Sequence, residues 1–485
     1  MPSAAPTKPA ARLGAKIRLL RRQEGLSQVQ LAEALGISPS YLNLIEGNKR
    51  PLTAPLLIRL AQQFKLDLKA LAPEEDQRLS DDLMEAFGDP LFEPLGLQAQ
   101  DVRELVQNNP QLARGVFELY RAYQHAQDGL GTLAAKLSDG QGFDPEATRL
   151  PSEEVGDFIQ QAMNHFPELE LAAETLWISA GLEADAPYPG LAACFEARGI
   201  AVRIHRVSEG PGLLRHFDPD RRILSLSELL PQRSRTFQLA HQLALLDHSD
   251  LLDSLTTHPL LRTGASRALA RVALANYFAS AVLMPYDRFL KAARTERYDI
   301  EILARRFQAS FEQVCHRLTT LRRPGAEGVP FHFLRIDIAG NISKSFSASG
   351  IRFARFSGAC PRWNAHAAFL TPGLIRTQIS EFPDGRRYFC IARTLQKDTG
   401  GYRGQHAMQA VGLGCEMGHA KDLIYADGLR LDQPPVPVGV TCRLCERTDC
   451  EQRAFPPLQQ AFKVEENLRR TSFYARIEGE GRARS

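Results

Sequence analysis

Three thiols fall within nine residues near the end of the chain, at Cys442, Cys445 and Cys450. Thiolates this close suit a soft metal, either one zinc ion or an iron–sulfur cluster. A fourth ligand would have to come from elsewhere, first from Cys415 and then from His419, Cys390 or Cys360. The spacing follows neither a doubled Cys-x2-Cys ribbon nor the plant-type ferredoxin order, so it names no metal. Free thiols or a redox pair also satisfy it. A second group of chemically able residues lies near the start, in SQVQLAEALGISPSYLNLIEGNKR, residues 27–50. Ser40, Tyr41, Asn43 and Leu44 fall on the outward side of a short helix, and Asn48, Lys49 and Arg50 follow it. Polar side chains on an exposed helix suit hydrogen bonding to base edges, and the cations suit phosphates.

Two helices must position those residues. Ser27 and Gln30 make a capping box ahead of the first, and Leu31, Ala32 and Leu35 give it one apolar stripe. Gly36 permits a sharp turn, Ser38 caps the second helix, and Pro39 takes its tolerated first position. Leu42 and Ile45 point back at the first helix, which is the pattern of a helix-turn-helix. A third helix is predicted near Pro55 to Phe64, with Leu56, Leu57, Leu60, Ala61 and Phe64 at helical spacing. Residues 1–65 hold ten Lys and Arg against three Asp and Glu, whereas residues 66–110 hold three against eleven. The basic surface is therefore local, as a phosphate-facing module requires. Residues 12–70 resemble the Cro/cI-type (XRE) helix-turn-helix through Ser27-Gln28, Leu31-Ala32, Gly36-Ile37-Ser38, Leu42, Glu46-Gly47 and Arg50. The resemblance implies that Gln28 holds phosphate, that the face from Ser38 to Leu44 reads bases, and that Asn48, Lys49 and Arg50 clamp the backbone.

At 485 residues the chain is too long for one domain. A hydrophobic content of 44%, a charged content of 24% and a net charge of +3 are those of an ordinary globular protein. No apolar run approaches the ~18 residues of a membrane span. Residues 1–11 read as a Pro/Ala-rich tail without a signal-peptide core. Eight cysteines without an export signal are expected to be cytoplasmic thiols or ligands.

The chain divides into a DNA-binding head at 12–72, an acidic linker and helical segment at 73–149, units at 150–325 and 326–457, and a tail at 458–485. Residues 73–95 read as linker. From 101 to 137 long helices return, with Leu112, Val116, Leu119, Tyr120 and Tyr123 on one apolar face. In the middle unit, a strand at 200–207, a hairpin turning at Asp218-Pro219-Asp220, and the helices FQLAHQLALLD and ALANYFASAVLMP resemble the ImmA/IrrE metallopeptidase-like domain. A zincin needs His-Glu-x-x-His, so that two imidazoles hold zinc and the Glu activates water. Here His241 is followed by Gln242 and then by Leu245 in place of the second imidazole, while Arg271 to Leu274 offer no acidic ligand. A catalytically dead domain is expected, with His248 as a core or surface residue. The segment IEILARRFQASFEQVCHRLTTLRR superficially resembles a second helix-turn-helix but reads better as a packed helical hairpin.

The last unit is α+β, with a hairpin around Gly340-Asn341 and strands at RRYFCIART and HAMQAVGLGCE. The predicted class is thus multidomain: an all-α helix-turn-helix domain, a degenerate α+β zincin-like domain, then an α+β C-terminal domain. This order, ending in the cysteine run, resembles the short-chain fatty acyl transcriptional regulators from about residue 12 to 457. The resemblance implies a DNA-binding regulator of propionate-, acetate- or glyoxylate-type metabolism, not an enzyme. It also implies an acyl-CoA effector, a double-stranded operator, a homodimer, RNA polymerase as a further partner, and a [4Fe-4S] cluster on the cysteines. Phosphate-holding arginines are available at Arg352, Arg355, Arg362, Arg386 and Arg387 among Phe353, Phe356, Trp363 and Tyr388. Arg203, Arg215, Arg221 and Arg222 offer a second set in the middle unit. The alternatives are a repressor-cleaving zinc protease and a cysteine-based redox sensor.

Overall fold

The computed structural model describes residues 14–455, except 15–16, 19–20, 22–23, 48–49, 51–55, 57–58, 61–63, 65–72, 96, 140–149, 184–185, 208–211, 354–358, 398–406, 444 and 448–449. Two units emerge. One comprises Met1–Thr148, Arg355–Ser357 and Cys442–Ser485, and the other Arg149–Ala354 and Gly358–Thr441.

In the first unit, helix α1 (Gln28–Leu35) begins at Ser27, whose Oγ accepts from the Gln30 N–H at 3.2 Å. Gln30 Oε1 accepts in return from the Ser27 N–H at 2.8 Å. Gly36 ends the helix with φ 66°, a left-handed conformation that favours a residue without Cβ. Helix α2 (Pro39–Glu46) begins at Ser38, whose Oγ accepts from the Tyr41 N–H at 3.1 Å. Leu31, Ala32, Leu35, Leu42 and Ile45 close a small core with Ile17, Leu56 and Leu60. Leu57 and Ala61 of the predicted third helix lie outside the described residues.

Residues 73–95, predicted as linker, are instead mostly helical: α3 (Pro73–Ala86) and a 3₁₀ turn (Pro90–Leu95) precede α4 (Ala99–Asn108) and α5 (Pro110–Asp139). Pro73 suits a first helical position. Leu83, Ala86, Val102, Val106, Ala113, Phe117 and Tyr120 form this bundle's core. The predicted apolar face of α5 is only partly inward. The helix buries its Ala113–Phe117–Tyr120 side, so Leu112 and Leu119 stay 59% and 71% exposed.

The second unit opens with α6 (Pro151–Gln161), α7 (Pro167–Ser179) and α8 (Pro187–Ala197). Strands β1 (Ala201–His205), β2 (Arg215–Asp218) and β3 (Ile223–Ser227) form a sheet ordered β1-β3-β2, with β3 parallel to β1 and antiparallel to β2. Helices α9 (Gln232–Asp247), α10 (Ser249–Thr256), α11 (Gly264–Leu283) and α12 (Tyr286–Thr295) follow. Leu274, Phe278 and Val282 of α11 are fully buried. Helices α13 (Ile300–Arg306) and α14 (Phe311–Thr319) make the predicted hairpin. On α14, Phe311, Val314, Cys315, Arg317 and Leu318 are buried, and Glu312 pairs with Arg335 at 2.7 Å. That helix has no free face with which to read DNA.

A second sheet contains β4 (His332–Asp337), β5 (Ile342–Ser347), β6 (Arg376–Glu381), β7 (Arg387–Lys397), β8 (Ala407–Glu416) and β9 (Val436–Pro437), ordered β5-β4-β8-β7-β6-β9. One face carries Phe333, Phe389, Ile391, Val411 and Leu413 into the same core as the middle helices, a core that runs without a break from Val155 to Ala426. The Gln160 side chain of α6 also bonds both the N–H and the carbonyl of Ser347 on edge strand β5, at 3.0 and 2.7 Å. The other sheet face meets a separate layer built on Ile351, Trp363, Ala365 and Ala368. Among the described residues no single helix is long and apolar enough to cross a membrane.

Candidate functional site

On the two-helix head, Ser38, Ser40, Asn43, Leu44 and Arg50 are exposed, so they are available to a partner. Tyr41, predicted to face outward, is half-buried against the head's core, because its position on α2 lies beside Leu42 and Ile45. Asn48 and Lys49 lie outside the described residues. Gln28 works within the head: its amide donates to Glu46 Oε2 at 2.9 Å and to Asn43 Oδ1 at 3.4 Å. Glu46 is buried and accepts two bonds from Arg21, at 2.7 and 3.1 Å. Burial pushes its carboxyl up, but the bonds from Arg21 and Gln28 and the charges of Arg21 and Arg18 bring it below the usual carboxylate range. The rear of α2 is thereby locked while its front stays open.

The degenerate peptidase positions are arranged as a packed core. His241 is buried on α9 and its Nδ1 accepts from the Arg215 guanidinium on β2, while the Val272 backbone also bonds the ring. Burial, then the Arg215 charge, pushes this imidazole down to about 3, so it is neutral at every ordinary pH. Gln242 is buried and Leu245 half-buried. Arg271 pairs with Asp253 and with Ser249 on α10. His248 lies 5.0 Å from the Phe278 ring and its imidazole is lowered by burial. A guanidinium thus occupies one ring nitrogen of His241, and Gln242 stands where a zincin has its general base. This arrangement cannot activate water.

The predicted thiol ligands fall in both units, Cys415 in the second and Cys442, Cys445 and Cys450 in the first. Cys415 is buried on β8, and burial raises its thiol well above the usual range. The run from Cys442 to Cys450 is wrapped around Arg453, whose guanidinium donates to the carbonyls of Cys442, Cys445 (2.7 Å) and Arg447. No three His, Cys, Asp or Glu among the described residues form a group able to hold a metal ion. Cys442, Cys445 and Cys450 lie on this one loop, and their thiols have the chemistry a soft metal needs.

A small recess of about 30 Å³ lies on the outer face of the second sheet. Leu334, Cys390 and Gly412 contribute to its floor, and Ile351, Phe353 and Trp363 to its roof. Short helix α15 (Asn364–Ala367) anchors the roof: Asn364 Nδ2 donates to the carbonyls of Arg376 and Cys390, both at 3.1 Å. Trp363 Nε1 donates to the Gly439 carbonyl at 3.0 Å. Strand register sets Ser347, His332, Gly414, Cys390 and Gln378 in one row. A Cβ on Gly414 would lie 2.5 Å from His332 Nε2, so the glycine leaves the gap in which the imidazole crosses β8. Burial pushes His332 down to about 3 and Cys390 up to about 12, so these two polar groups in the wall are uncharged. Of the predicted phosphate-holding arginines, Arg352 and Arg362 are half-buried, Arg386 pairs with Asp384 at 2.6 Å, and Arg387 with Glu381 at 2.7 Å. Arg386 and Arg352 lie near enough to the Tyr388 hydroxyl to act on its acidity, although burial still pushes it to about 12. Arg355 and Phe356 lie outside the described residues. In the middle unit, Arg222 donates to the Arg198 carbonyl, Arg221 lies 3.8 Å from Asp218, and Arg203 is exposed. The sequence reading missed His332, Gly412 and Gly414; the signal was a Gly-x-Gly inside a strand, which marks close approach of neighbouring groups.

These features match known proteins over almost the whole chain. The sequence model of the short-chain fatty acyl coenzyme A regulator C-terminal domain matches residues 320–474, that of the IrrE N-terminal-like domain residues 195–319, and that of a helix-turn-helix domain residues 14–76. The chain is 42% identical over 458 residues to the propionyl-CoA carboxylase regulator of Cereibacter sphaeroides, covering 94% of this chain and 96% of that protein. It is 40% identical over 457 residues to the HTH-type transcriptional regulator PrpR of Mycobacterium tuberculosis, covering 94% and 93%. A solved structure of a Mycobacterium tuberculosis transcriptional regulator is 43% identical, with a TM-score of 0.64, over 68% of this chain and 100% of that one.

Proposed function

The chain belongs to the family of short-chain fatty acyl coenzyme A regulators, and on that premise we propose that its outer-sheet recess takes the acyl group of the effector. The protein is a DNA-binding transcriptional regulator and not an enzyme, as its full-length relatives are transcriptional regulators. An acyl-CoA is its effector. The observation that carries the location is the apolar recess on the C-terminal sheet, with Arg352 and Arg386 near Tyr388 beside it. Apolar walls suit a short acyl chain, and guanidinium groups suit the phosphates of coenzyme A. Ser38, Ser40, Asn43 and Leu44 are the residues that read bases in this reading, with Arg50 on phosphate. Gln28 positions Asn43, and Tyr41 supports the helix from behind.

Names of relatives point to target genes of propionyl-CoA carboxylase type. The head at 12–72, the pseudo-peptidase domain at 150–325 and the sensor domain at 326–457 form its working parts. The protein acts in the cytoplasm, as a homodimer on a two-half-site operator, where RNA polymerase also binds. Thermal-shift measurements against acyl-CoA thioesters of increasing length test the effector reading, since a ligand of the native state raises its melting point. A flat response to every thioester rejects it. Sedimentation with and without operator tests the dimer. A cluster held by Cys442, Cys445 and Cys450 is part of this reading; absorption near ~400 nm in anaerobically purified protein tests it.

A further inference from the structure

Within the recess, most polar groups already have strong partners. Asn364 donates to two carbonyls and Trp363 to a third. His332 differs. Its Nδ1 lies 2.8 Å from Ser349 Oγ, whereas among the described residues its Nε2 meets only the Cys390 sulfur, at 3.6 Å. When the Ser349 hydroxyl donates to Nδ1, the imidazole proton resides on Nε2 and points along the row toward Cys390. Sulfur is a weak acceptor, so this N–H is an under-used donor in an otherwise apolar wall. The ring cannot swing away to find water. Gly414 beneath it leaves room for the ring, and Phe353 and Tyr388 stand 6.1 and 5.8 Å from it on other sides. The Tyr388 hydroxyl, buried in the same cluster, has no hydrogen-bond partner among the described residues.

We propose that His332, held by Ser349 and Gly414, donates the hydrogen bond that recognises the thioester carbonyl of the effector, with Cys390 as the resting partner that the carbonyl displaces. This rests on the recess being the acyl site. A thioester carbonyl oxygen is a better acceptor than a thiol sulfur, and it lies at the junction of the acyl chain and the coenzyme. A donor there distinguishes an acyl thioester from a thioether or from free coenzyme A, which an apolar slot alone cannot do. Because the donor is a neutral imidazole, recognition is constant across neutral pH.

Calorimetry on the full-length protein with propionyl-CoA, with S-propyl-CoA (the thioether in which a methylene replaces the carbonyl) and with coenzyme A tests this. The expected result is that wild type binds the thioester about tenfold more tightly than the thioether, as one hydrogen bond in an apolar site implies. In His332→Phe, which keeps a ring over Gly414, the two affinities should become equal, by loss of affinity for the thioester. Equal affinities in wild type overturn the assignment while leaving the recess as the acyl site. A tenfold preference that persists in a folded His332→Phe overturns it too, because another donor then reads the carbonyl. If neither ligand binds wild type, the acyl-site reading fails and this inference with it. The wild-type comparison needs no variant to fold.

Discussion

Glu170 and Arg317 meet in the centre of the second unit, where neither side chain reaches water. The guanidinium donates to both carboxylate oxygens, at 2.6 and 2.9 Å, and also to the Met284 carbonyl at 2.9 Å, while Tyr277 donates its hydroxyl to Glu170 at 2.6 Å. Burial opposes ionisation of Glu170, but the charge and hydrogen bonds of Arg317 outweigh it and hold the carboxyl below its usual range. Glu170→Ala should therefore lower unfolding stability by ~3–5 kcal/mol, because it strands a buried cation. The sign of the pH effect follows from linkage. A carboxyl whose folded pKa is depressed contributes stability above its unfolded pKa and loses it as pH falls through the folded one. Urea unfolding at pH 7 and again at pH 4 should show the gap between wild type and Glu170→Ala shrinking on acidification; a constant gap would exclude an ionised pair. The two strand glycines give a contrasting pair of outcomes. A Cβ on Gly414 would lie 2.5 Å from His332 and 2.7 Å from the Phe389 carbonyl, so Gly414→Ala should cost ~1–3 kcal/mol by overpacking. A Cβ on Gly412 meets nothing nearer than 3.8 Å, so Gly412→Ala should melt within a few degrees of wild type. Differential scanning fluorimetry of the two variants side by side distinguishes them.

Helices α1 and α2 were legible because each residue has its own local cause: two serine caps, a left-handed glycine and five inward apolar residues. No distant contact was needed to read them. The acidic segment was misread for the opposite reason, since Pro and Glu suggest a linker by composition but a helix start by position, and only Leu83 and Ala86 packing on α4 and α5 decides. The strands flanking the recess were visible as alternating runs. Their register was not, because the row from Ser347 to Gln378 joins residues from five strands, and no local pattern fixes which pairs align. What α2 does follows from its exposed front. Asn43→Ala should cost ~1–3 kcal/mol on the cognate operator and nothing on random DNA, if its amide reads a base edge. Arg50→Ala should weaken both alike and flatten the salt dependence by about one unit of slope. Fluorescence anisotropy over a salt series checks both, and equal losses for Asn43→Ala on the two DNAs would remove it from base reading.

At the scale of the whole molecule, a regulator that answers to an acyl-CoA must convert its binding into a change of affinity for DNA. The sheet that floors the recess also buries Phe333, Phe389 and Leu413 in the core of the middle helices. Gln160 ties α6 to its edge strand, and Arg335 ties β4 to α14. The dead peptidase domain thus has a structural use: its helices form one continuous core with the sensor sheet, so a shift at the recess is felt across the second unit and not in a loop alone. Loss of catalytic residues is then no loss of function, since Arg215 and His241 serve packing. Whatever path the signal takes to the head, thermodynamics constrains its size. If the effector changes operator affinity by some factor, the operator must change effector affinity by the same factor. Calorimetric titration of the protein with propionyl-CoA, alone and saturated with an operator duplex, should give two dissociation constants. Their ratio should equal the ratio of operator affinities measured without and with effector, ~5–150-fold for a typical coupled pair. Gly412→Val, whose side chain projects into the recess, should abolish both ratios together. Effector affinity that is identical in the two titrations, beside operator affinity that still responds to propionyl-CoA, would mean that the metabolite acts through some component other than this chain.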